Sequence, residues 1–132
     1  MGRRTTVRTG VDPDRVGDVF LGAWSSATSS VWSPQTPAKG QCSVTALVTH
    51  ELFGGDIPKT QVAGEWHFYN RIEGRRRDDT ALQFESPIED QDLRKTVLDA
   101  LTNTTIAQVK ALREAVRALL DEMWGRQGDL PR

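Results

Sequence analysis

No part of this 132-residue chain leaves the fold less freedom than the run from Cys42 to Phe53, CSVTALVTHELF, followed at once by Gly54-Gly55. Its apolar residues, Val44, Ala46, Leu47, Val48, Leu52 and Phe53, are too dense for one narrow stripe, so the run reads as a largely buried helix. The glycine pair supplies the left-handed stop that such a helix needs. The single cysteine of the chain opens this helix, where a proline-punctuated stretch, Trp32-Ser33-Pro34-Gln35-Thr36-Pro37, gives way to it. A thiol there is either a small apolar filler or a nucleophile, and the other residues must decide.

Composition removes several classes of function. The length suits one domain with a real core, without disulfides or metals as staples. A net charge of -1, from 17 basic and 18 acidic residues, gives no electrostatic case for nucleic acid as the main partner. One cysteine cannot form an internal disulfide, so the expectation is a reduced, cytoplasmic protein. No apolar run approaches a membrane span, and no apolar core follows the basic start as a signal peptide requires. Met1-Gly2 followed by Thr6 fits the loose myristoylation pattern, which is too short to carry weight.

Read along the chain, residues 1–10 are a polar, flexible start. Residues 11–132 read as a single α+β domain, with a catalytic-type core over 11–85 and C-terminal helices over 86–132. Asp12-Pro13-Asp14 opens a first helix with Val16, Val19, Phe20, Ala23 and Trp24 on one face. Ser25 to Lys39 is a connection in which Trp32 anchors the loop. Glu65 to Ile72 is aromatic and β-prone, Glu73-Gly74 marks a turn, and Arg75 to Thr80 returns as a second strand of a hairpin. The arginine triplet Arg75-Arg76-Arg77 reads as the solvated outer face of an edge strand rather than an anion site. Ile88, Leu93, Val97, Leu98 and Leu101 fit one helix. Ile106, Val109, Leu112, Val116, Leu119, Leu120 and Met123 fit a longer one closed by Gly125, with Thr104 or Thr105 as its cap. That stripe packs on the domain's own core or, second, on a twin across a homodimer axis.

A helix N-terminus lowers a thiol's pKa, and its unpaired N–H groups can receive an oxyanion. The missing base is a histidine. His50 lies eight residues further along the same helix, about 12 Å away at 1.5 Å per residue, and cannot reach the thiol. His67, on a strand, can be folded opposite the helix mouth. If Glu73-Gly74 forms a two-residue loop, Ile72 pairs with Arg75 and Tyr69 with Asp78, placing Asp78 on the face of His67. A three-residue loop would select Asp79 instead. Asn70 projects from the other face. Zinc is a rival use for Cys42, His50, His67 and Asp78, but no paired metal-ligand spacing supports it.

The ordered set of Cys42 at a helix start, His67 on a strand and an aspartate on the next strand resembles the transglutaminase-like branch of the papain-like superfamily. Gly40-Gln41-Cys42-Ser43-Val44-Thr45-Ala46-Leu47-Val48, Phe53-Gly54-Gly55, His67-Phe68-Tyr69-Asn70-Arg71-Ile72 and Asp78-x-Thr80-x-x-Gln83-Phe84 more closely resemble the small bacterial YunG-like proteins. The resemblance covers about residues 20–85. Asp79 departs from it, standing where a hydrophobic residue is expected.

Together these readings imply an α+β fold with a papain-like or transglutaminase-like core, its helices packed on a small antiparallel sheet. The expected activity is cysteine-dependent amide or acyl hydrolysis, deamidation or acyl transfer. Cys42 attacks, His67 relays the proton and Asp78 holds the ring, with Asp79 the alternative third member. Gln35 or Gln41 supports the oxyanion, and Trp32, Trp66 and Tyr69 line the pocket. No metal or other cofactor is called for. The partner is an amide- or acyl-bearing small molecule, peptide or protein side chain. The alternative is a binding module with a structural cysteine that meets its partner through the C-terminal helix.

Overall fold

The computed structural model describes residues 16–62, 65–81, 100–102 and 104–127, with side chains as far as Glu122. The polar start, the Asp12-Pro13-Asp14 signal and most of the helix expected between Ile88 and Leu101 lie outside the described residues.

Helix α1 spans Val16–Ala23 and buries Val16, Val19, Phe20 and Ala23, the face that the spacing marked. Trp24 follows it, stacks on Phe20 with ring centroids 6.2 Å apart, and donates its Nε1–H to Thr45 Oγ1 at 2.8 Å. Helix α2, Cys42–Phe53, is buried at every residue from Ser43 to Thr49. Such burial is what a run without a polar face requires. Positive φ values at Gly54 (79°) and Gly55 (84°) end it, and the Gly54 N–H bonds His50 O at 2.8 Å.

Four short strands follow: β1 Lys59–Val62, β2 Glu65–Phe68, β3 Asn70–Ile72 and β4 Arg75–Arg77. β1 pairs antiparallel with β2, Thr60 facing His67, and β3 pairs antiparallel with β4, Ile72 facing Arg75. The expected single strand from Glu65 to Ile72 is thus divided at Tyr69, and its return ends at Arg77 rather than Thr80. The division is local, since Tyr69 N–H bonds Pro58 O at 3.2 Å and Arg71 exchanges bonds of 2.9 and 3.0 Å with Asp56. Segment 56–62 therefore runs beside 65–71 in one unbroken register. Glu73 and Gly74 form the two-residue turn, with φ of 52° and 78°. Both values belong to the mirror-type turns that match strand twist.

Alternation along this ribbon decides what each side chain meets. Phe68, Asn70 and Ile72 face α2, whose Ala46 carbonyl accepts a hydrogen bond from Asn70 Nδ2 at 3.0 Å. His67 and Tyr69 take the other face, their rings stacked at 6.0 Å.

Helix α3, Ile106–Gln127, runs past Gly125, where the sequence suggested a stop. A helix end is a soft boundary, and one glycine without a following breaker does not fix it. Thr105 and Gln108 form a reciprocal capping box: Gln108 N–H donates to Thr105 Oγ1 at 3.0 Å, and Thr105 N–H to Gln108 Oε1 at 3.1 Å. Val109, Leu112, Val116 and Leu120 are buried in the common core with α1 and α2. Ile106, assigned to that stripe from sequence, is instead 82% exposed beside the cap. The architecture is α+β, with three helices and small antiparallel sheets among the described residues. No helix there is long and apolar enough to cross a membrane.

Candidate active site

Cys42 is the first residue of α2, and Gln41 is its N-cap. Gln41 O accepts the Thr45 N–H at 2.9 Å, but its side chain does not cap the helix. That side chain is fully buried and turned to Thr28, whose Oγ1–H donates to Gln41 Oε1 at 2.8 Å. Among the described residues, Gln41 Nε2 is buried with no hydrogen-bond partner. The thiol thus starts a helix whose first-turn amides meet no capping side chain, where the dipole favours negative charge.

His67 comes to the thiol from β2. One ring nitrogen, Nε2, lies 2.6 Å from Asp78 Oδ2. The ring also lies within electrostatic reach of the Cys42 thiol. Asp78 is the first residue beyond β4, and its carboxylate is nearly sealed at 4% exposed. Its other oxygen, Oδ1, accepts the Thr80 N–H and Oγ1–H, both at 3.3 Å. Arg76 Nη2 stands 3.6 Å from Oδ2 and Arg76 Cζ lies 5.1 Å from the Tyr69 ring centroid. The two-residue turn makes this possible, since it sets Asp78 diagonally across from His67 on one face.

Burial alone would push the Cys42 thiol up, but the neighbouring His67 ring with its charge and the Phe68 backbone amide outweigh it, so its pKa falls below 9.0. The Phe68 amide points to the ribbon edge where β4 has ended, which leaves it for the sulfur. His67 moves the opposite way. Burial pulls it down, yet the bond to Asp78 and the charges of Asp78 and the neighbouring Cys42 thiol raise it from 6.5 to about 9. Both shifts favour a thiolate–imidazolium pair.

The other sequence candidates are scattered. Asp79 projects to the opposite face of the ribbon and rests against α1, its Oδ1 3.3 Å from where a Cβ on Gly17 would stand. Burial raises its pKa to about 6, despite Arg77, with the neighbouring Asp78 adding to the rise. Gln35 is exposed in the Ser33–Thr36 turn, and Trp32 is half-buried against the core. Trp66 stands 39% exposed on the face away from His67, with Lys59 Nζ 3.8 Å from its ring centroid. Tyr69 is buried beneath His67 and Arg76 rather than lining an open wall. His50 occupies the far end of α2, and among the described residues no group of three or more His, Cys, Asp or Glu could hold a metal ion.

Two site residues escaped sequence reasoning. Arg76 was read as part of a solvated edge, although the same register that selects Asp78 puts Arg76 on its face. Thr80, which holds the second Asp78 oxygen, carried a signal in the Asp-x-Thr spacing.

Fold and site together define a small α+β protein in which a partly exposed thiol at a helix mouth lies within electrostatic reach of a histidine held by a buried aspartate. The chain belongs to the YunG protein family, whose model matches residues 12–121. It is 46% identical over 102 residues to the uncharacterized protein YunG of Bacillus subtilis (strain 168), a match covering 77% of this chain and 89% of that relative. No solved structure matches it.

Proposed function

We propose that this protein is a cysteine-dependent enzyme of transglutaminase-like type, acting on an amide or related acyl group through Cys42, His67 and Asp78. The observation that carries the reading is the convergence of a carboxylate and a thiol on one buried ring: Asp78 Oδ2 stands 2.6 Å from Nε2, and the Cys42 thiol is close enough for its charge to act on the ring. A histidine buried for packing needs one partner. A ring fixed between a carboxylate and a thiol is oriented for proton transfer.

In this reading the Cys42 thiolate adds to the carbonyl carbon, and the oxyanion is received by the Cys42 backbone N–H at the α2 mouth. His67, as imidazolium, gives its proton to the leaving amine as the tetrahedral adduct collapses to a thioester. Neutral His67 then takes a proton from water or an acceptor amine, which attacks the thioester and frees the thiol. Asp78 keeps the ring in place and stabilises its charge. Water as acceptor gives hydrolysis or deamidation, and an amine gives transfer. Trp32 stays near the loop leading into Cys42 as a candidate wall.

The test is alkylation of Cys42 by iodoacetamide at neutral pH. Cys42 should react faster than free cysteine, and His67→Ala should slow it by about tenfold or more. A slow rate indifferent to the substitution would leave Cys42 as a packing residue, consistent with its contact with the hydrophobic core.

A further inference from the structure

We propose that Arg71 and Arg76 form an anion subsite beside Cys42, selecting acyl substrates that carry a carboxylate. This rests on reading Cys42 as the reacting centre.

Three observations lead there. Arg71 and Arg76 are direct cross-strand partners on the β3–β4 hairpin. By alternation they share the face of His67, Tyr69 and Asp78, whereas Arg75 and Arg77 take the other. Second, Arg76 is held in place: its guanidinium lies over the Tyr69 ring and reaches Asp78 by one contact of 3.6 Å. Third, it is 40% exposed while Asp78 is 4% exposed. Arg76 is therefore where solvent and solutes meet the otherwise buried pair of Asp78 and His67.

The planar fork of a guanidinium matches a carboxylate in two parallel bonds. Arg76 is linked to the neighbourhood of the thiol through Asp78 and His67, and charges that close are only partly screened in physiological salt. A carboxylate a few bonds from the attacked carbonyl would feel both arginines.

The experiment compares two disulfide reagents that Cys42 cleaves by the same exchange, the thiolate displacing an aryl thiolate. One is anionic, dithiobis-nitrobenzoate, and one is neutral, dithiodipyridine. Their rate ratio cancels changes in thiol basicity that a substitution near Asp78 brings. Relative to free cysteine, the wild type should favour the anionic reagent, with a preference that shrinks as salt is added. Arg76→Gln and Arg71→Gln should each lower the ratio by about threefold at low ionic strength. Arg75→Gln, equal in charge change but on the other face, should leave it alone, and Arg76→Lys should keep part of it. Melting curves establish that each variant is folded, and the salt series on the wild type needs no variant.

An enhanced neutral rate with a ratio indifferent to Arg71 and Arg76 overturns the subsite and spares the nucleophile. Equal losses from Arg75→Gln reduce the effect to net charge and overturn it too. A neutral rate no faster than free cysteine, unchanged by His67→Ala, removes the nucleophile and this proposal with it.

Discussion

Asp78 and Asp79 are neighbours in the chain but serve opposite faces of the ribbon: Asp78 meets His67 at 2.6 Å, and Asp79 is half-buried beside Gly17 of α1. One carboxylate belongs to the candidate site and the other to the core. Their substitutions should therefore separate cleanly.

Asp78→Asn should slow neutral-pH alkylation of Cys42 by roughly tenfold or more, because the ring loses the charge that keeps it protonated beside the thiolate. Asp79→Asn should leave the rate within about twofold. Pseudo-first-order labelling followed by intact mass gives both numbers, and equal effects would remove the functional distinction.

Asp79 should make the wild type less stable as the solution becomes less acidic. Its pKa is raised from 3.8 to about 6 in the folded protein, so the folded state holds this proton more tightly than the unfolded chain does. That burden is absent below pH 4 and grows as pH rises towards 6. Asp79→Asn should then stabilise the protein at pH 7 by on the order of 2 kcal/mol. Urea unfolding at pH 4 and pH 7 reads the difference, and a gap that fails to widen with pH contradicts the assignment.

His67 carries the converse signature. With its pKa raised from 6.5 to about 9, its contribution to stability is fully present below pH 6.5 and is lost as pH climbs through 9. The ring resonances should titrate near 9 by nuclear magnetic resonance. The stability advantage over His67→Gln should be larger at pH 6 than above pH 9.5. A ring that titrates near 6.5 would mean that Asp78 and Cys42 do not hold it.

Gly55→Ala should be far more damaging than Gly74→Ala. Both glycines have positive φ, 84° and 78°, which alone costs about 1 kcal/mol for alanine. A Cβ on Gly55 would also collide with the Arg71 carbonyl oxygen, whereas one on Gly74 meets nothing within 4 Å. Thermal melts should show a large drop for the first and a small one for the second.

What the sequence disclosed depended on how local the signal was. The α2 run and its glycine stop are contiguous, and Glu73-Gly74 sets a register by counting, so Asp78 could be preferred over Asp79 before any fold was known. β1 went unseen because Lys59-Thr60-Gln61-Val62 has just one apolar residue and gains its strand character from pairing with β2. Trp66 was grouped with the pocket on its aromatic type, whereas alternation sends it to the face away from its neighbour His67. Arg76 was discounted because a run of three arginines looks like solvent exposure. Its placement rests on stacking over Tyr69, which no sequence window displays.

The bond from Asn70 Nδ2 to the Ala46 carbonyl has a mechanical meaning. Ala46 lies about one helical turn beyond Cys42, and Asn70 three residues beyond His67, so this bond ties strand to helix close to the thiol. Sliding the helix along the strand, or swinging its mouth away, breaks that buried hydrogen bond. The gap between thiol and imidazole is thereby gauged by an amide that takes no part in proton transfer.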